Sequence, residues 1–211
     1  MARSGGGGLL ALTLGLSCVS VGEGTGSVRS EHLIARACWD DAYDLKPDFF
    51  AADAFRGAVH IRVQRGSDLL EVSDGLVVLV DDVEEVRERL GEPIPVTLPA
   101  GVTPPGTVVG STCQGANCDS PVHLALYLLE SCHNQNIVLY ATSGTITFDE
   151  IFSGDPNEDQ ADDKLTQARF DVTVMDPRDM TASGADDLAT SRLVGTFRFF
   201  FQRGQPAQPF P

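Results

Sequence analysis

Positive charge is scarce in this sequence. Fifteen lysines and arginines stand against thirty aspartates and glutamates in 211 residues, a formal net charge of −15. Nucleic acid and anionic headgroups share that sign and are repelled, so nucleic acid is not an expected partner. Tryptophan occurs once, at Trp39, and aromatic residues make up only 7% of the chain. No apolar run approaches the roughly 20 residues that a membrane-spanning helix needs. Catalytic signatures are missing as well: there is no G-x-S-x-G elbow, no H-E-x-x-H helix and no P-loop. The four histidines, His32, His60, His123 and His133, are scattered. Among thirty acids some carboxylate pair always lies within reach, so a glycosidase pair cannot be singled out. The expected role is structural or binding, with no recognisable catalytic site.

What is present starts with an apolar run at residues 9–16, after a single Arg3 and a glycine run. It has the length of a signal-peptide core. It ends in Leu14-Gly15-Leu16-Ser17-Cys18, which resembles the lipobox of bacterial lipoproteins. There a small residue precedes the cysteine that is lipidated and starts the mature chain; Ser17 fits that position, and Gly15 stands where leucine is usual. The resemblance covers these 18 residues. It implies an acyl anchor on Cys18, a bilayer as partner, and a place in a bacterial envelope, at the outer membrane or in the periplasm. An ordinary secretory signal, cut later with loss of Cys18, is the alternative. Residues 18–35 are rich in glycine and serine in their first half and read as a flexible tether. A single domain is expected over 36–204, with an extended proline-rich tail at 205–211.

Besides Cys18 there are four cysteines: Cys38, Cys113, Cys118 and Cys132. An even set in an exported chain predicts two disulfides. Three pairings exist. The preferred one closes the short loop between Cys113 and Cys118 and leaves Cys38 for Cys132. Zinc held by Cys113, Cys118 and Cys132 with His133 or His123 is the lesser reading, because export favours disulfides.

The fold is read from period-two alternation. Residues 192–202 (RLVGTFRFFFQ) put Leu193, Phe197, Phe199 and Phe201 on one face, and three aligned rings require a dry layer opposite. Residues 58–65 (AVHIRVQR) predict a strand with His60, Arg62 and Gln64 on a wet face. Residues 76–80 (LVVLV) predict a strand buried on both sides. Residues 144–150 and 168–176 alternate again, and 94–98 fit an edge strand. The runs 122–130 and 137–141 predict a hairpin with Cys132 in its loop, with a short helix the alternative for the first run, since Val122, Leu126 and Leu129 also share a helical face. Residues 82–90 predict the one helix: Asp81 or Asp82 caps it, Glu84 and Glu85 open it, Arg87 and Arg89 close it, and Gly91 ends it. Pro47 suggests another short helical start running to Ala54; the aromatics around it, Trp39, Tyr43, Phe49, Phe50 and Phe55, read as packing groups. The fold class expected is mainly β: an antiparallel two-layer sandwich or a partly open barrel with one short helix. The glycine-led strands resemble β-rich bacterial lipoproteins, a likeness that carries no function.

One loop suggests a cation. In GDPNEDQADDK (154–164), Asp155, Asn157 and Asp159 stand at i, i+2 and i+4, with Asp163 at i+8. Alternate oxygen-bearing residues of this kind resemble calcium loops of the EF-hand type. Gln160 replaces the turn glycine and Thr166 the closing glutamate, so a merely solvated acidic loop is the other reading. An exported, anchored binding or structural protein with a protein or glycan ligand is therefore the leading expectation. A calcium-stabilised extracellular enzyme or carbohydrate-binding module is the alternative.

Overall fold

The structure, a computed structural model, describes residues 23–36, 38–66, 73–99, 120–133, 135, 137–179 and 189–202. Ten strands follow one another: β1 (Gly24–Ala35), β2 (Trp39–Leu45), β3 (Phe49–Phe55), β4 (Ala58–Gln64), β5 (Asp74–Val80), β6 (Ile94–Pro95), β7 (Val122–Leu128), β8 (Val138–Glu150), β9 (Leu165–Met175) and β10 (Thr190–Phe200). A helix, α1 (Val83–Glu88), lies between β5 and β6. The strands form one sheet in the order β2-β1-β10-β9-β8-β7-β5-β4-β3, with β6 paired to β8, and every pairing is antiparallel. The sheet curls into a half-barrel, the partly open barrel of the sequence reading.

The aromatic row of β10 is where the curl closes on itself. Leu193, Phe197, Phe199 and Phe201 are all buried, at 3% exposure or less. Each such ring contributes roughly 1.5–3 kcal/mol relative to exposure. Phe197 meets Phe148 of β8 edge-on at 6.4 Å, and Phe201 stacks on Phe152 at 3.9 Å. Phe199 stacks at 6.0 Å on Phe50, which belongs to β3 at the far end of the strand order. That approach is possible because β1 carries glycine beneath the ring: a Cβ on Gly24 would lie 2.6 Å from Phe50. At Gly195 a Cβ would lie 2.2 Å from the Ser27 carbonyl oxygen and 2.5 Å from the Phe170 ring. The glycine-led strands are thus a packing requirement of a tightly curled sheet.

The helix forms where its caps predict. Asp82 is the N-cap and its side chain accepts the Glu85 N–H at 3.0 Å. Val83 and Val86 are fully buried against the sheet interior. Gly91 has φ of +80°, the left-handed conformation that glycine adopts without strain.

Four expectations are corrected. Residues 24–35, expected as tether, are instead strand β1, with Val28 and Leu33 fully buried, so this stretch belongs to the folded domain. The glycine and serine content there serves close packing. The helical start after Pro47 is instead strand β3, since Phe49 and Phe50 are buried on opposite faces of the sheet. The runs 137–141 and 144–150 are one strand, β8, bent by register shifts at Ala141/Ser143 and Phe148/Glu150. The face of β4 expected to be wet is dry: Arg62 and Gln64 are each 2% exposed.

That last difference divides the sheet in two. Residues directly opposite one another share a face. On β8, β9 and β10 the outer face is charged, with Arg169 on Asp149 and Arg192 on Asp171. On β4, β5 and β7 the outer face is buried or half-buried, as it is at Phe49 and Ala51 of β3, while Asp53 and Phe55 near the end of β3 are exposed. The outer row there reads Ala51, Arg62, Val77, Ala125, and continues to Tyr140 and Met175. Phe49, Ala51, Val77, Ala125, Tyr127 and Met175 are buried yet stand apart from the main core cluster.

Candidate functional site

A cleft opens where two strands part. β1 and β10 pair from Gly24↔Phe199 to Arg29↔Val194, although both strands continue beyond. The β1–β2 register also shifts between Ser30 and Leu33, so Glu31 and His32 form a bulge. Past the split, the Ile34 N–H donates to Ser191 Oγ at 2.8 Å, a side chain standing in for a strand partner. The cleft has a volume of about 660 Å³ and is lined by Arg29, Ser30, His32, Tyr43, Ser191 and Arg192 among others.

Most of its charges are paired. Arg192 donates through Nε and Nη2 to Asp171, at 2.8 and 2.5 Å, and this fork draws the Asp171 carboxyl below its usual range. Arg29 Nε lies 3.2 Å from Asp44, and His32 Nε2 lies 2.6 Å from Asp40. Ser30 is the exception: its Oγ is buried and has no hydrogen-bond partner. It therefore makes no relay with His32 and Asp40.

Beside the cleft lies a buried polar anchor. Asp74, 4% exposed, accepts hydrogen bonds from the Tyr43 hydroxyl at 3.1 Å, the Glu130 N–H at 3.0 Å, the Ser131 N–H at 3.1 Å and the Ser131 hydroxyl. It fixes the β7–β8 connection to the start of β5. Burial, followed by the Asp74 charge, pushes the Tyr43 hydroxyl far above the ordinary tyrosine value. The folded state therefore holds this proton where the unfolded chain, with a pKa of about 10, releases it. The Tyr43 contribution is complete below about pH 10 and is lost progressively as pH rises beyond it. Denaturant midpoints measured from pH 8 to 11 should be flat up to about 10 and then fall, and Tyr43→Phe should flatten that fall.

A second buried polar link uses His123, 4% exposed on β7. Its Nδ1 lies 2.7 Å from the Thr97 carbonyl oxygen, which can only accept, so Nδ1 carries a hydrogen. Its Nε2 faces Asp81 at 3.1 Å. The pair ties β7 to the residues flanking α1.

The residues singled out from the sequence fare differently. Cys38 and Cys132 are joined as a disulfide, with Cα atoms 5.4 Å apart; Cys132 is then no zinc ligand. Cys18, Cys113 and Cys118 lie outside the described residues. In the acidic loop, Asp155 Oδ1 accepts the Asn157 N–H at 2.8 Å and so closes a local turn. Gln160 takes φ of +57°, the left-handed turn where a calcium loop would have glycine. Among the described residues no group of three or more histidines, cysteines, aspartates or glutamates is placed to hold a metal ion. Calcium at Asp155, Asn157, Asp159 and Asp163 has a direct check: a calcium-held loop raises the melting temperature with calcium and loses that gain with chelator. Sequence reasoning missed Asp74 and the burial of Arg62. The signal for Arg62 was present in its neighbour, since a strand as apolar as 76–80 implies covered faces on either side.

No protein-family model matches the chain, and comparison with curated proteins and with solved structures returned no match.

Proposed function

We propose that this chain is an exported, non-catalytic binding protein of the bacterial envelope, held to the bilayer by acyl chains on Cys18. The observation that carries the export half is the Cys38–Cys132 disulfide, since such bonds persist in oxidising compartments. The binding half rests on the cleft between β1 and β10, whose walls carry several paired charges. A polar ligand, on a partner protein or a glycan, suits those walls.

The early start of β1 sharpens this reading. Only residues 19–23 separate Cys18 from Gly24. Fully extended they reach about 20 Å, so an anchored domain stands close to the bilayer rather than on a long stalk. Mass spectrometry of the mature protein from its own envelope fraction is the test. An acylated N-terminal Cys18 is expected; a mature chain that begins beyond residue 18 overturns the anchor.

A further inference from the structure

We propose that a second cleft, where β2 faces the end of β4 and the start of β5, binds an acidic sugar, with Arg65 holding the carboxylate and the Trp39 indole carrying the ring. The cleft has a volume of about 420 Å³, within the roughly 300–1,000 Å³ of small-molecule sites. One wall is Trp39, Tyr43 and Asp44 of β2 with Lys46 just after it. The other is Arg65 after β4, Asp74 at the start of β5 and Ser131 in the β7–β8 connection. β2 ends the strand order and shares no ladder with β4, β5 or β7, so the cleft is a seam between distant parts of the sheet. Two links pin that seam: the disulfide, whose cysteines adjoin Trp39 and Ser131, and the Tyr43 hydroxyl on Asp74 at 3.1 Å. Walls clamped before a ligand arrives lose little ordering entropy on binding it.

Arg65 is the cation left over. It is exposed, and among the described residues no carboxylate lies within ion-pair distance of it, whereas most of the described arginines have one. Its charge is felt across the cleft, where it opposes the rise that burial and Asp74 impose on the Tyr43 hydroxyl. The two carboxylates of the walls are already answered. Arg29 holds Asp44 at 3.2 Å with Lys46 3.8 Å away, and Asp74 accepts four hydrogen bonds. One further negative charge is therefore accommodated, and the planar guanidinium matches a carboxylate through two parallel N–H donors. A phosphate dianion would set a second negative charge beside Asp44. Trp39 supplies the rest. It is half-buried, stands edge-to-face with Tyr43 at 5.8 Å, and donates its indole N–H to the Asp41 carbonyl at 3.2 Å. Its polar atom is used, so what it offers the cleft is fixed apolar ring surface. A pyranose has an apolar C–H face to lie on that surface and a rim of hydroxyls for Lys46 and Asp44; a flat aromatic acid would leave the polar rim unused. The site shares only Tyr43 and Asp44 with the β1–β10 cleft, and does not rest on the anchor at Cys18.

Trp39 is the only tryptophan in the chain, so its fluorescence reports this cleft directly. The test is titration of the purified protein, disulfide intact, with sodium D-glucuronate at neutral pH and constant ionic strength, read by Trp39 emission and repeated by calorimetry. A saturable signal is expected, with D-glucose, acetate and inorganic phosphate each binding at least tenfold more weakly. Arg65→Gln should fold as the wild type does, since the Arg65 side chain is exposed and pairs with no described residue. It should weaken glucuronate at least tenfold and leave glucose unchanged. Arg65→Lys, which keeps the charge but not the fork, should fall between the two. Wild-type protein that gives no saturable signal with glucuronate by either method overturns the proposal. So does acetate or phosphate binding as tightly as glucuronate, the mark of a bare anion site. Glucose binding as tightly does the same, as does an Arg65→Gln protein that binds glucuronate like the wild type.

Discussion

Replacing Cys38 and Cys132 together by alanine should lower the melting temperature by about 10–20 °C. The bond spans a sequence separation of 94 residues, and closing a loop of that length in the unfolded chain is worth about 4–5 kcal/mol in the chain-entropy account. A protein of this size loses about 2–4 °C per kcal/mol. Position adds to the argument from length. Cys38 sits in the turn between β1 and β2, at one end of the strand order, where its N–H bonds the Ala35 carbonyl at 3.0 Å. Cys132 sits in the β7–β8 connection, near the middle of the order. The bond holds the β1–β2 turn against a part of the sheet with which β2 shares no ladder. Calorimetry of the double variant, and of the wild type with and without reductant, checks this. A midpoint that moves by less than a few degrees in both would show that packing alone holds the curl.

Much of this architecture is legible in the residue pattern, for a physical reason. A strand with one dry and one wet face writes its orientation into alternate positions. β9 and β10 are such strands, and 168–176 and 192–202 were read correctly from that period alone. Caps are equally local, so Asp82 and Gly91 bound the helix as the sequence predicts. What misleads is the part of the sheet buried on both sides. On β4 the pattern of Val59, Ile61 and Val63 against His60, Arg62 and Gln64 looks half-wet. Yet β5 beside it is covered on both faces, as is β3 over Phe49–Ala52, and the covering is a property of the layer, not of the strand. β1 misleads in the opposite sense. Gly24 and Gly26 resemble linker residues until the Phe50 ring is placed over them, and that ring lies some 25 residues along the chain. The cleft was invisible for the same reason. It exists only because β1 and β10, joined by no local sequence, pair as far as Arg29↔Val194 and then part. Asp74 escaped because its partners, Tyr43 and the 130–131 segment, lie more than 30 and more than 50 positions away, as their separations of 31, 56 and 57 show.

Asp74→Ala should cost about 3–5 kcal/mol, the second large effect. The carboxylate holds four donors from two remote segments, and its removal leaves the Tyr43 hydroxyl buried without an acceptor and frees two part-buried backbone N–H groups. Tyr43→Phe removes only one of the four and should cost about 1 kcal/mol. Asp74→Asn keeps the shape but replaces one acceptor oxygen by a donor that meets other donors, so it should fall nearer to alanine than to wild type. Denaturant unfolding of the three variants gives the order. The same series tests how the anchor and the disulfide cooperate. Asp74 grips residues 130 and 131, and the disulfide begins at residue 132. Both therefore fix the same turn, and a turn already released by one loss has less to lose from the other. Combining Asp74→Ala with the double cysteine variant should destabilise by at least about 1 kcal/mol less than the sum of the separate effects. Strict additivity would mean that the carboxylate serves β5 and Tyr43 alone, and that the covalent bond needs no help in positioning the loop that carries it.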